Sequence, residues 1–245
     1  MLAKLLFADY QNHALPGMHD GPQQVAEAAA TLLSLREAGV YRVLLTPTYR
    51  PFYESIRRFQ LRRTQAWRLL RDTLPRETRD MQIFLAAQTV LEPGCCAAPD
   101  LGRLVIPRSD YLLVELPLPA FADWVDFELH LLLHCRHLRP VFARFERAVL
   151  LYPEQIVNRL LTVPGAAYQF NLSAAGQSAV IPVMRQLIRQ GKPVLLGTGA
   201  KLPAQTFPQL GEQLSALQSA LGNAAYTSLL RRSFGFACFS RSSHS

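Results

Sequence analysis

The sequence predicts an α/β fold, a distorted seven-stranded (β/α) barrel with largely parallel strands inside and helices outside. Three observations predict it. Short apolar runs alternate with longer amphipathic segments along the chain, the pattern of repeated strand-then-helix units. About seven such runs recur, a count that suits a closed or distorted barrel. The 245 residues are 49% hydrophobic, enough to bury one large core, and one barrel of this length is ordinary. Residues 1–239 are therefore read as a single barrel domain and 240–245 as a polar tail.

The elements follow in order. Leu5-Leu6-Phe7-Ala8 reads as a short buried strand. Asp9 to Gly21 follows, polar and ionisable, where a strand ends and a helix has yet to begin. In α/β folds that position faces the ligand. Pro16-Gly17 makes a turn, and Asp20-Gly21-Pro22 reads as a helix start with Asp20 as the cap. Gln23 to Ala38 is helical in composition, and Gly39 ends it. Tyr41–Thr46 is the second strand and Met81–Ala86 the third. Between them lies a basic helix, 55–74, with Ile56, Phe59, Trp67, Leu70 and Leu74 on its inner face. Its outer face carries Arg57, Arg58, Arg62, Arg63, Arg68 and Arg71.

Leu104–Ile106 and Tyr111–Pro117 are further strand-like runs. Asp123–His137 is a helix with His130, His134 and His137 along it, and no acidic partner that would orient them toward a metal. Pro140–Ala143, Ala167–Phe170 and Pro193–Leu196 complete the strands. Helices are expected at Pro153–Leu161 and Gly176–Gln190, with two more within Phe207–Arg232.

Composition narrows the function. The formal net charge is +8, mostly from arginine. The basic helix is either a solvated face or a footprint for an acidic partner, a phosphorylated tail or an anionic membrane surface. No nucleic-acid motif accompanies the charge, so no nucleic-acid partner is expected. No apolar run reaches the ~18 residues that cross a bilayer, and Met1–Ala8 is too short for a signal peptide, so a cytoplasmic location is expected. Cys95, Cys96, Cys135 and Cys238 lack zinc-site spacing and read as reduced packing thiols.

The Asp9–Gly21 stretch resembles the opening motif of the PHP (polymerase and histidinol phosphatase) metallophosphatases. It is most similar to the tyrosine phosphatases of bacterial capsule and exopolysaccharide loci. Their pattern is Asp-Ile-His-x-His, then Leu-Pro-Gly-x-Asp-Asp-Gly; Asp9, His13, Leu15, Pro16, Gly17, Asp20 and Gly21 fit it. Gln11 stands in place of the first His and His19 in place of the first Asp of the pair. Later stretches resemble the family in order: Pro47-Thr48-Tyr49, Gln88-Thr89-Val90, Tyr111–Pro117, Arg144-Phe145-Glu146-Arg147, Gln169–Ser173 and Gly197–Lys201.

The resemblance implies the PHP barrel, manganese, and hydrolysis of phosphotyrosine. Metals neutralise the phosphate and activate a water, and they need donors with free lone pairs. At the eight ligand positions, His13 and Asp20 keep a competent type. The other six are Gln11, Thr48, Thr89, Arg144, Gly199 and Lys201. The resemblance thus implies a degenerate family member with a remnant pocket of His13, Asp20, Glu146 and Arg147 and no catalytic residue. His13 and Asp20 remain as vestigial metal ligands and no cofactor is expected. Arg144, Arg147 and Lys201 would form an anion site in place of the metals, unless Arg144 merely pairs with Asp20 or Glu146.

The implied role is a binding or regulatory module in exopolysaccharide synthesis. Its partner would be a tyrosine-phosphorylated kinase or chain-length regulator, and a homo-oligomer fits the family's habit. Two alternatives stay open. One is an active manganese-dependent phosphatase rebuilt on His13, His19, Asp20 and Glu146. The other is a structural or oligomerisation subunit that uses the basic helix.

Overall fold

The structure, a computed structural model, describes residues 7–200 and 210–237. Nine parallel-paired strands alternate with helices. The strands are β1 (Ala8–Asn12), β2 (Arg42–Leu45), β3 (Thr48–Tyr49), β4 (Gln82–Leu85), β5 (Gln88–Val90), β6 (Tyr111–Glu115), β7 (Arg139–Ala143), β8 (Ala167–Asn171) and β9 (Val194–Gly197). They form two sheets, β1-β2-β4 and β3-β5-β6-β7-β8-β9. Two staves are bent, so β2 runs on into β3 through Thr46-Pro47, and β4 into β5 through Ala86-Ala87. Counted as staves, the strands are seven. The ring closes where Gly199 N–H donates to Gln11 O at 2.8 Å and His13 N–H to Ala200 O at 2.9 Å.

The helices lie outside: α1 (Val25–Glu37), α2 (Ile56–Thr73), α3 (Trp124–His130), α4 (Phe145–Leu151), α5 (Glu154–Leu161), α6 (Leu172–Ala175), α7 (Val180–Arg189), α8 (Leu210–Leu221) and α9 (Asn223–Phe234). Side-chain alternation along each strand makes two cores. Val43, Leu45, Leu112, Val114, Phe142, Tyr168, Phe170 and Leu196 face the helices. Tyr10, Leu44, Leu113, Val141, Ala143, Ala167 and Leu195 fill the barrel, and Phe234 and Phe236 pack against that inner core. The Tyr10 hydroxyl donates to Ser233 O at 2.7 Å and Phe236 O at 2.8 Å, which fixes the C-terminal segment there.

Several expected boundaries shift. β1 runs through Asp9–Asn12, where the strand was expected to have ended. These polar residues are fully buried because each finds a hydrogen-bond partner inside, so polarity misplaced the strand's end. The cap of α1 is Gln24, in a capping box with Glu27, not Asp20. Leu104–Ile106 is the end of a helical turn, Leu101–Leu104, and a loop. The histidine helix breaks after α3 into a wide π-turn, Leu131–Cys135, and His137 has φ +53°. Arg63 leaves the exposed face of α2: it is buried, and one guanidinium N–H donates to Ala86 O at 2.7 Å. Leu5-Leu6, Phe207, Lys201 and the 240–245 tail lie outside the described residues.

Candidate functional site

The inward-facing residues near the strand C-termini change from apolar to polar. Gln88, Glu115, Gln169 and Asn171 stand above the apolar interior on β5, β6 and β8. A bulge between Asp9 and Asn12 shifts the register of β1 against β2, the device that re-aims a side chain at a barrel rim. Asp9 locks this bulge and is itself inaccessible. It accepts from the Thr198 hydroxyl at 2.5 Å, Thr198 N–H at 2.9 Å and the Asn12 amide at 2.9 Å. Burial pushes its carboxyl up, against the pull of those bonds.

Above this layer opens a cavity of about 500 Å³. Its lining includes Gln11, His13, His19, Asp20, Thr48, Arg50, Gln88, Glu115, Arg144, Arg147, Asn171 and Gly199. One chain of hydrogen bonds crosses it. The Thr48 hydroxyl donates to Asp20 Oδ2 at 2.5 Å, and His13 Nδ1 lies 2.8 Å from the same oxygen. His13 Nε2 is 3.0 Å from the Gln11 amide nitrogen, which also donates to Gln88 Oε1 at 2.6 Å. Gln88 Nε2 donates to Glu115 Oε2 at 2.7 Å. Glu115 Oε1 receives Arg147 at 2.9 Å and Arg144 at 3.4 Å.

An amide nitrogen only donates and a carboxylate only accepts. His13 therefore accepts the Gln11 amide at Nε2 and donates to Asp20 at Nδ1. Burial alone would raise the Asp20 carboxyl, but its bonds to His13 and Thr48 outweigh that and hold it well below the usual carboxylate range.

Arg144 adopts a left-handed backbone, φ +52°, strained for a non-glycine residue. Gln169 Oε1 holds it there by accepting Arg144 N–H at 2.8 Å. The position begins α4 and carries the guanidinium into the cavity. Arg144 pairs with Glu115, not with Asp20 or Glu146 as one reading of the sequence had it. Glu146 is absent from the lining; it is buried behind the cavity and accepts Asn171 N–H at 3.1 Å. Burial pushes its carboxyl up to about 7. Phe145 does not plug the rim; it is fully buried among Phe142, Tyr168 and Phe170.

His13, Asp20, Arg144 and Arg147 thus share one cavity, and Lys201 lies outside the described residues. Sequence reasoning missed Arg50, Gln88, Glu115 and Asn171. Arg50, Glu115 and Asn171 lie at or just past a strand's C-terminal end, which was the available signal; Gln88 opens β5, after the bend in its stave. At Gly199, φ is +64°, and an added Cβ would come 3.0 Å from the Asn171 amide. A side chain at this position would crowd Asn171 and Gln11.

Comparison with known proteins places the chain. The profile of the family "Capsular polysaccharide synthesis, CpsB/CapC" matches residues 7–234. Among solved structures, the fold is similar to one from the crystal structures of YwqE from Bacillus subtilis and CpsB from Streptococcus pneumoniae, which are metal-dependent tyrosine phosphatases. The TM-score is 0.67 at 16% identity, over 92% of this chain and 95% of that one. No curated protein sequence matches the chain.

Proposed function

The chain belongs to the CpsB/CapC family of capsular polysaccharide synthesis, and we propose that it serves there as a phosphate-binding module that does not hydrolyse its ligand. One observation carries this reading. Both His13 ring nitrogens are engaged, Nε2 by the Gln11 amide and Nδ1 by Asp20 Oδ2, so neither is free for a metal. Gln11 stands where the family places a histidine, and its side-chain nitrogen donates rather than accepts.

The rest of the donor set agrees and does not fit a manganese cluster. Thr48 spends its hydroxyl on Asp20. Thr89 is wholly buried, Gly199 has no side chain, and Arg144 can donate only. Glu115 is the one further carboxylate on the cavity wall, and two arginines already hold it.

What the cavity offers instead is Arg50, Arg144 and Arg147 against the carboxylates of Asp20 and Glu115. The Arg144 and Arg147 side chains are each about one-third exposed, and Arg144 Nε is buried with no hydrogen-bond partner. A phosphate monoester has the geometry for paired guanidinium donors. The Glu115 carboxylate stands in for the anion when none is bound, orienting both arginines in advance. The partner this favours is a tyrosine-phosphorylated protein of exopolysaccharide synthesis.

The manganese-enzyme alternative would rest on His13, His19 and Asp20, since Glu146 does not line the cavity. The test is to exchange the purified protein against manganese and to assay phosphate release from a phosphotyrosine peptide. The expected result is no stoichiometric manganese and no released phosphate. Manganese-dependent release that His13→Ala abolishes would overturn the reading.

A further inference from the structure

A second cluster of reactive side chains lies apart from the cavity and shares no residue with it. Gly94, at φ +82°, turns the chain after β5 into the short helical turn Cys95–Ala97. The turn holds Cys95 Sγ and Cys96 Sγ 3.6 Å apart, both buried. Glu128 of α3, also buried, is directed at the same spot. Its Oε2 lies 3.8 Å from Cys95 Sγ and accepts Cys96 N–H at 2.8 Å, while Oε1 accepts Gly94 N–H. One ligand atom from each of the three residues falls within 4.8 Å of the others. Among the described residues, no Lys, Arg or His forms an ion pair with Glu128. Arg136 binds the same turn, donating to Cys96 O at 2.9 Å and to Ala97 O.

We propose that Cys95, Cys96 and Glu128 form a site for one thiophilic divalent cation of the zinc class. The geometry suits it. Two Zn–S bonds of about 2.3 Å spanning the 3.6 Å sulfur separation meet at the metal at roughly 100°, close to tetrahedral. A carboxylate oxygen at about 2.1 Å from the metal and 3.8 Å from Cys95 Sγ subtends roughly 120°. Thiolates favour zinc and cadmium over the hard cations that carboxylates alone would hold.

Charge balances as well. Two thiolates and one carboxylate face a divalent cation and the Arg136 guanidinium on the same turn. Binding releases the two thiol protons. The hydrogen bond between the thiols already pulls Cys95 down, while it and burial push Cys96 up. The spacing of the cysteines gave no hint of this site, because its third ligand lies about thirty residues further on, on another element.

Cadmium titration of the reduced full-length protein tests the proposal, since Cd–thiolate coordination absorbs in the ultraviolet. The expected result is a charge-transfer band that saturates at one equivalent and is displaced by zinc. Cys95→Ser with Cys96→Ser should abolish it, Glu128→Gln should weaken affinity by at least ~10-fold, and Cys135→Ser should leave it intact. Thiol modification of the unaltered protein gives a readout that needs no variant. Zinc should slow labelling of Cys95 and Cys96 but not of Cys135. A band that is absent, that survives the double substitution, or that leaves Cys95 and Cys96 labelled at the same rate with zinc would overturn the proposal.

Discussion

Single residues set the charge of the cavity. Glu115 pairs with both Arg144 and Arg147, and under the proposed function an incoming anion would compete with it. Glu115→Gln keeps a hydrogen-bonding side chain and removes the competing charge. It should tighten binding of a phosphotyrosine peptide by several-fold in calorimetry, with the sharpest gain at low salt. Arg147→Ala should weaken the same binding at least ~10-fold, the size of one charge-assisted hydrogen bond.

Glu146 makes a pH prediction. Its folded-state pKa, about 7, is raised from 4.5. Between those values the unfolded chain has already lost a proton that the folded chain keeps, so stability falls as pH rises through that window and levels off above about 7. Glu146→Gln has no proton to lose, so its stability relative to the native protein should grow from pH 4.5 to 7. The gain is at most about 3 kcal/mol, measurable by urea unfolding at several pH values. A flat difference across that range would mean that the Glu146 carboxyl is not raised in the folded protein.

His13 and Asp20, which line the cavity together, sit in one short stretch of sequence, Asp9 to Gly21; Glu146, read with them, is buried outside the lining. The network that binds His13 and Asp20 was not legible from the sequence. Gln11–Gln88–Glu115–Arg147 joins β1, β5, β6 and α4, and such contacts between distant segments leave no local pattern.

Secondary structure was legible where periodicity was strong. β2, β6, β7, β8 and α2 fall close to their expected bounds. It failed where a tertiary partner satisfied a polar residue. Asp9, Gln11 and Asn12 read as the end of a strand, yet they are buried strand residues. Arg63 read as part of a solvated face, yet it reaches under α2 to the carbonyl of Ala86 at the bend between β4 and β5.

That bend makes Arg63 part of the rim's support. Ala86 and Ala87 interrupt the pairing of one stave, and Arg63 supplies a donor where no strand does. Burial lowers the Arg63 guanidinium to about 10, so holding it there costs free energy. Arg63→Met should destabilise by about 1–3 kcal/mol in urea unfolding because the Ala86 carbonyl is left buried and unpaired. Arg58→Ala, on the exposed face of the same helix, should fall within about 0.5 kcal/mol of the native value. Equal effects of the two would mean that the rim does not depend on this contact.

The whole molecule is a barrel with the fold of the solved structure it matches. Each stave carries a short apolar run that the sequence reading took as a strand, and Leu104–Ile106 is the one such run that is not a strand. The two bends, the bulge in β1 and the packing of Phe234 and Phe236 on the inner core leave no such run, because each depends on closure of the ring. Among the described residues, no helix is long and apolar enough to cross a membrane. The outward face of α2 presents Leu61 and Leu69 among its arginines, the largest exposed apolar groups on that helix. Under the proposed function, the guanidinium groups of Arg50, Arg144 and Arg147 bind phosphate at this rim without a metal ion.

The most direct measurement is calorimetric titration of a phosphotyrosine peptide into protein stripped with chelator and kept in it. The account predicts saturable binding without any metal, recovery of the peptide with its phosphate intact, and loss of the signal in Arg147→Ala. No binding until manganese is added, with free phosphate appearing on its addition, would contradict it.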